Sequence, residues 1–299
     1  MRLTKLGVVG AGTMGKGIIR CAAGCGLSVV FCEQTEELVQ NALKDISDAM
    51  DYEISRWGLT SGEKRLIMTR IEGTTDLRNL AGSQAIIEAT AGNTEDKQKI
   101  FEDMDALFPE ETVLISNSST VAISEIAKHC KLPQRTAVMR FSHPVYQRPI
   151  VEVSRGHKTS DAAMSVVAQL AKVLKKKVIE VLEMPGLVTT RVMVPYINEA
   201  MQIVMEGIVS APEVDEAIRL GFKLPVGPLA MADRIGLDTL LKDMERLFRT
   251  MGLLQYRPCP ILRRMVRQGH LGVKTGRGFF LYDEHGNITG APSDACCNL

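Results

Sequence analysis

Charge of one sign is what this sequence most conspicuously lacks. Lys and Arg number 36 against 35 Asp and Glu, a net charge of +1. There is no basic field to draw nucleic acid and no acidic tail. Long apolar runs are also missing: none approaches the roughly 18 residues of a membrane-spanning helix, so no membrane partner is expected. The seven cysteines show neither CxxC nor Cys/His metal spacing, which leaves no metal site to propose. Met1-Arg2-Leu3-Thr4 has no apolar core of a signal peptide, and a reducing cytoplasm is the expected location. Cys296-Cys297 read as an inert tail able to form mixed disulfides in vitro. Repeats and low-complexity stretches are absent.

What is present is an ordinary globular composition, 45% hydrophobic and 24% charged over 299 residues. That is enough chain for one large domain or two moderate ones. The organising stretch is Lys5-Leu6-Gly7-Val8-Val9-Gly10-Ala11-Gly12-Thr13-Met14-Gly15, an apolar run that ends in Gly-Ala-Gly-x-x-Gly and passes into a helical pattern. This is the layout a dinucleotide pyrophosphate requires. Gly10 allows the tight turn, Gly12 lets backbone approach the phosphates, and Gly15 lets the helix press on the strand. A second strand, Cys25 to Cys32, ends at Glu33, where an acid takes the adenosine ribose hydroxyls. A carboxylate there repels a 2′-phosphate, and Gln34-Thr35-Glu36-Glu37 offers no base to hold one. NAD is therefore expected over NADP, with Gly10, Gly12, Thr13, Met14, Gly15 and Glu33 as its contacts. The plain alternative is a glycine-rich turn with Glu33 as a surface charge.

Strand and helix signals then alternate. Helices are predicted over 37–56 and 60–69, a hairpin inserted between strands. Strands are predicted over 70–73, 84–89, 112–116, 136–141, 150–153 and 177–181. Helices over 94–107 and 161–174 lie between them, and Asn117-Ser118-Ser119-Thr120 is expected to cap another that runs to His129. Such alternation predicts a doubly wound, mostly parallel α/β sheet of the Rossmann type. Beyond Met184-Pro185-Gly186 only helices are expected, over 187–210, 211–220, 226–232, 238–251 and 259–268. The predicted division is a nucleotide domain over 1–184 and an all-helical substrate and dimerisation domain over 185–299. Val192, Tyr196, Ala200, Ile203 and Ile208 are read as a core or subunit-facing stripe, and 283–299 as a loose polar tail.

Several segments resemble the 3-hydroxyacyl-CoA dehydrogenase family: Ile86-Ile87-Glu88-Ala89, Ser116-Asn117-Ser118-Ser119, Phe141 with Pro144-Val145, and Val151-Glu152-Val153. So do Val194-Pro195-Tyr196 with Glu199-Ala200, Pro225-Val226-Gly227-Pro228 with Gly236-Leu237-Asp238, and Gly272 with Lys274-Thr275-Gly276-Arg277-Gly278-Phe279. The resemblance runs in order through nearly the whole chain. It implies hydride transfer from C3 of an (S)-3-hydroxyacyl thioester to NAD+, a homodimer paired through the helical domain, and Asn93, Lys97 and Asn117 at the cofactor. It also implies a histidine base followed by Phe-Phe-Asn-Pro, oriented by a glutamate twelve residues on. Glu152 fills the glutamate position, but Arg140 stands where the histidine is expected and His143 where the asparagine is. Two more positions depart: Thr190-Arg191 replaces Asn-Arg near the substrate oxygens, and Gly92-Asn93 replaces Glu-Asn near the nicotinamide ribose. Ser119 is kept.

Arginine holds its proton at any working pH, so Arg140 is no general base. It can stabilise an alkoxide or clamp a carboxylate. His143 is the replacement base if the chain turns after Phe141. Three readings stand: a 3-hydroxyacyl-CoA dehydrogenase using His143 or a water as base, with Glu152, Arg140 and Ser119; an oxidoreductase for a carrier-protein-bound or carboxylate-bearing 3-hydroxy substrate held by Arg140; and an NAD-binding protein with little activity. Lys64-Arg65 is a candidate for CoA phosphates, Lys175-Lys176-Lys177 reads as solvated, and His129, His157, His270 and His285 receive no role.

Overall fold

A computed structural model describes residues 3–292. The chain folds as two units, 1–184 and 185–299. The first unit is built on β1 (Lys5–Val9), β2 (Ser28–Cys32), β3 (Ile71–Thr74), β4 (Ala85–Glu88), β5 (Val113–Ser116), β6 (Thr136–Phe141), β7 (Ile150–Arg155) and β8 (Lys177–Val181). They form one sheet in the order β3-β2-β1-β4-β5-β6-β7-β8, parallel except where β6 meets β7. Runs such as Ala85-Ile86-Ile87-Glu88 and Val113-Leu114-Ile115-Ser116 are buried throughout, as strands covered on both faces must be.

One face of the sheet is covered by α1 (Thr13–Gly24), α2 (Glu36–Ser55) and α6 (Asp161–Val173). Ile18, Ile19 and Ala22 of α1, Val39 and Ile46 of α2, and Val167 and Leu170 of α6 pack there against Val8, Phe31, Ile87 and Met139. Between β2 and β3, α2 and α3 (Ser61–Met68) form the expected hairpin, with Trp57 in the turn 97% exposed. Lys64 of α3 pairs with Asp51 of α2 at 2.5 Å.

The cap expected at 117–120 is not one. Helix α5 spans only Ile123–Ile126, begins after Ala122 and gives way to a 3-10 turn over Ala127–His129. Short polar side chains take local backbone instead: the Ser118 hydroxyl accepts from Val121 N at 3.2 Å, and Asn117 Oδ1 accepts from Phe141 N at 3.0 Å.

The second unit carries α7 (Thr189–Met205), α8 (Ala211–Gly221), α9 (Pro228–Ile235), α10 (Leu237–Met251) and α11 (Pro260–Arg267) around Ile197, Met201, Leu229, Met244, Leu262 and Phe279. Helix α7 ends short of the predicted Ser210, with Gly207 at φ +70° just beyond it. On the predicted stripe Ala200 is buried, while Val192 and Ile208 are exposed. The expectation of helices alone also needs correcting. Strand β9 (Leu281–Tyr282) pairs with β10 (Ile288–Gly290), so the chain from Asp283 to Gly290 is ordered as a hairpin. The Asp283 carboxylate sets its turn by accepting from His285 N and Asn287 N at 2.9 and 2.8 Å, with Gly286 at positive φ. Cys296 and Cys297 lie outside the described residues. No helix among the described residues is long and apolar enough to cross a membrane.

Candidate active site

β1 lies between β2 and β4, where the strand order reverses, and ligands of such sheets sit at the carboxyl ends of the strands there. The three glycines do three different things. Gly10 has φ +90°, and a Cβ there would lie 2.7 Å from the Thr90 side chain. A Cβ at Gly15 would lie 2.0 Å from the Gly10 carbonyl, so this glycine serves the contact between helix and turn. A Cβ at Gly12 would meet nothing within 4 Å: the space it faces is open. Gly12 is also the N-cap of α1, which no side chain caps. The first amides of that helix, from Thr13 and Met14 onward, are the donors a diphosphate needs. The Glu33 carboxylate stands beside this turn and accepts from Ala11 N at 2.5 Å. An uncapped helix start, an open glycine face and an acid at the end of β2 fit a dinucleotide.

At the end of β4 a network holds the neighbouring loop. Glu88 is wholly buried; its Oε1 accepts from Lys97 Nζ at 2.6 Å and from Thr90 N and Oγ1 at 2.8 and 2.6 Å, and its Oε2 accepts from Ser116 Oγ at 2.8 Å. Lys97 donates also to Thr90 O at 2.9 Å, so two of its three N–H groups are committed to this loop. Asn93 is the N-cap of α4 (Thr94–Leu107), its Oδ1 accepting from Asp96 N at 2.8 Å. A Cβ at Gly92 would meet the Asp96 side chain at 2.9 Å. Glu88 did not figure among the candidates, although an acid closing an otherwise apolar strand is a visible signal of a buried partner.

Next along the sheet, Asn117 N donates to Glu88 O at 2.9 Å while its side-chain oxygen takes Phe141 N. The Ser119 hydroxyl is half-buried and has no partner among the described residues. Arg140 and Glu152 are paired directly across the antiparallel β6–β7 ladder. Directly opposed residues share a face with Cβ atoms about 5 Å apart. Glu152 is 2% exposed and Arg140 half-buried, with one guanidinium N–H donating to Phe141 O. β6 stops at Phe141 and the chain bends at His143 and Pro144, leaving His143 exposed. In the second unit, Thr190 lies buried in the first turn of α7.

Two family models cover the chain: "3-hydroxyacyl-CoA dehydrogenase, NAD binding domain" matches residues 5–184, and "3-hydroxyacyl-CoA dehydrogenase, C-terminal domain" matches residues 186–282. The chain belongs to the 3-hydroxyacyl-CoA dehydrogenase family. Its cofactor is NAD. A relative in Bacillus subtilis, named probable 3-hydroxybutyryl-CoA dehydrogenase, is 39% identical over 284 residues, 95% of this chain and 99% of that one. Among solved structures, FadB2 of M. tuberculosis superposes with a TM-score of 0.91 at 34% identity, covering 95% of this chain and 100% of the other. The (S)-3-hydroxybutyryl-CoA dehydrogenase PaaH1 from Ralstonia eutropha gives 0.84 at 38% identity, with the same coverage.

In this member of the dehydrogenase family, the glycine motifs of the second unit hold two acids. Asp215 accepts from Leu229 N and Ala230 N at 2.8 Å each, capping α9, and a Cβ at Gly227 would lie 2.3 Å from its carboxyl carbon. Asp233 accepts from Phe279 N, Phe280 N and Tyr282 OH at 3.0, 3.0 and 2.9 Å. Gly278 leaves the room this requires, since a Cβ there would fall 2.0 Å from Asp233 Oδ1. Burial pushes Asp233 from 3.8 up to about 6 despite its donors. The Lys274-to-Gly278 segment thus closes on an internal carboxylate. Lys176, read as solvated, is in fact buried and donates to two backbone carbonyls.

Proposed function

We propose that this protein interconverts a 3-hydroxyacyl-CoA and the 3-oxoacyl-CoA, with His143 as the base that takes the hydroxyl proton. NAD, when bound, accepts the hydride from C3. The chain's own residues do the rest. The open face of Gly12 and the start of α1 hold the diphosphate, and Glu33 exchanges its bond from Ala11 N for ribose hydroxyls. Ser119 donates to the reacting oxygen. Arg140 stabilises that oxygen as an alkoxide, and Glu152 opposite fixes the guanidinium. Thr190 is retained as a proposed substrate contact, and Asn93, Lys97 and Asn117 as proposed cofactor contacts.

The observation that carries the choice of base is the Arg140–Glu152 register. The position opposite the glutamate cannot accept a proton, and His143 is the titratable group that follows it on the bend after Phe141. The same register weighs against a carboxylate-bearing substrate, because Glu152 already supplies Arg140 with an opposite charge. The thioester carrier is CoA rather than a carrier protein in this reading, supported by the names of the relatives. Exposed Val192, Ile208, Leu220, Phe222 and Leu254 support a homodimer formed through the helical unit. A cytoplasmic place in fatty acid metabolism follows the same reading.

The test is the pH profile of kcat/KM for 3-hydroxybutyryl-CoA oxidation in the wild type and in His143→Ala. A histidine base must be neutral to accept the proton, so activity should rise with pH along an acid limb, and the variant should lose that limb. An unchanged profile in the variant removes His143 as base.

A further inference from the structure

The segment from residue 142 to 149 joins β6 to β7 and carries His143 between the strands of Arg140 and Glu152. Within it, Gln147 N and Arg148 N both donate to Pro144 O, at 3.1 and 3.2 Å. What fixes it comes from elsewhere in the first unit. Val145, 1% exposed, rests against α1 where Gly17 has no side chain: a Cβ there would lie 2.9 Å from Val145 Cγ2. The Arg20 guanidinium of α1 lies 3.8 Å from the centre of the Tyr146 ring and pairs with Glu53 of α2 at 2.5 Å. Lys177 N, at the start of β8, donates to Pro149 O at 2.7 Å.

The decisive contact is made by Lys176. The residue is 9% exposed, and its Nζ donates to Val145 O at 2.6 Å and to Arg148 O at 2.7 Å. These carbonyls bracket the turn. Arg148 returns to its start, Nε donating to His143 O at 3.3 Å. No carboxylate among the described residues pairs with Lys176. Burying an ammonium against neutral carbonyls is unfavourable unless both bonds are made. A methionine would fill much of the same space without burying a charge, but would leave both carbonyls without this donor, so the lysine is there for the two bonds rather than for packing alone.

We infer that Lys176 is a positioning residue for the reaction: its ammonium holds the turn from Val145 to Arg148, and through it His143, in the place from which His143 meets the substrate hydroxyl. The inference rests on His143 being the base. A misplacement of about 1 Å at a reacting group lowers turnover by about 100-fold, so the loss of two anchoring bonds falls on kcat.

The experiment is a double-mutant cycle on full-length protein with acetoacetyl-CoA and NADH, comparing Lys176→Met, His143→Ala and their combination. Lys176→Met keeps the stem and removes the donors. The expected result is a fall in kcat of about 10- to 100-fold, an unchanged NAD+ dissociation constant, and no further fall when the lysine change is added to His143→Ala. Lys176→Arg, which keeps donors at that site, should recover most of the loss. Full kcat in Lys176→Met overturns the inference, and so does an equal fall in both backgrounds, since the lysine then acts independently of His143. Failure of the base reading looks different: His143→Ala alone retains wild-type kcat. Should Lys176→Met lose NAD+ binding, Lys176→Gln, with two N–H donors at shorter reach, takes its place in the cycle, with an intermediate fall expected on the same pattern.

Discussion

Arg140 and Glu152 sit directly opposite one another on β6 and β7, a permanent cation across from a carboxylate that is almost fully buried. A histidine opposite that glutamate would be titratable; an arginine keeps its proton. In the proposed mechanism proton removal falls to His143, further along the chain, and Arg140→His should move it back. The expected outcome is that Arg140→His makes His143 dispensable: the double variant Arg140→His, His143→Ala recovers at least about tenfold in kcat over His143→Ala, within the usual range for a general base. Steady-state kinetics at neutral pH measure it.

Glu33 should govern both affinity and selectivity for the cofactor. Its carboxylate accepts from Ala11 N and stands at the end of β2. Hydrogen bonds to a charged group contribute about 1.5–3 kcal/mol, so Glu33→Ala should weaken NAD+ binding by about 10- to 100-fold. The preference over NADP+ should shrink as well, because the repulsion of the 2′-phosphate is gone. Calorimetric titration with both cofactors checks this.

Gly12 and Gly15 differ in what a methyl group would meet, open space in one case and the Gly10 carbonyl in the other. Gly12→Ala should leave the melting temperature within about 2 °C, the scale of a change below 1 kcal/mol, while weakening NAD+ binding. Gly15→Ala should lower the melting temperature, since backbone must shift to admit the side chain. Thermal unfolding with and without NAD+ separates the two.

The glycine loop, Glu33 and the alternation of strands and helices are legible in sequence because they rest on local spacing and period. Helix bounds such as Thr94–Leu107 are legible for the same reason, their caps being written in adjacent residues. Other features depend on partners distant in sequence. The Lys176 ammonium lies next to two other lysines, and nothing local reveals that it turns inward to carbonyls some 30 positions away. Gly278 lies in a stretch rich in glycine and basic residues that names no partner by itself, and its reason is Asp233, 45 residues earlier. The 117–120 segment reads as a cap because its residue types favour caps; Phe141 N claims the Asn117 side chain instead. The Arg140–Glu152 pairing follows from counting along the chain, but its shared face needs the register.

Asp233 makes a prediction about pH. Its folded value of about 6 lies above the ordinary 3.8, so the folded protein keeps this proton to higher pH than the unfolded chain. Between about pH 4 and pH 6 the group therefore withdraws stability as pH rises, and above that interval its contribution is constant. Carboxyl-carbon NMR should show Asp233 titrating near 6; a midpoint below 4 would mean that its three donors outweigh burial.

The most direct measurement is acetoacetyl-CoA-dependent oxidation of NADH by the purified protein, with NAD+ binding measured on the same preparation. Turnover in the ordinary enzymatic range, about 1–1,000 per second, is the expected result. Firm NAD+ binding without turnover on 3-oxoacyl-CoAs of several chain lengths would contradict the proposed dehydrogenase activity.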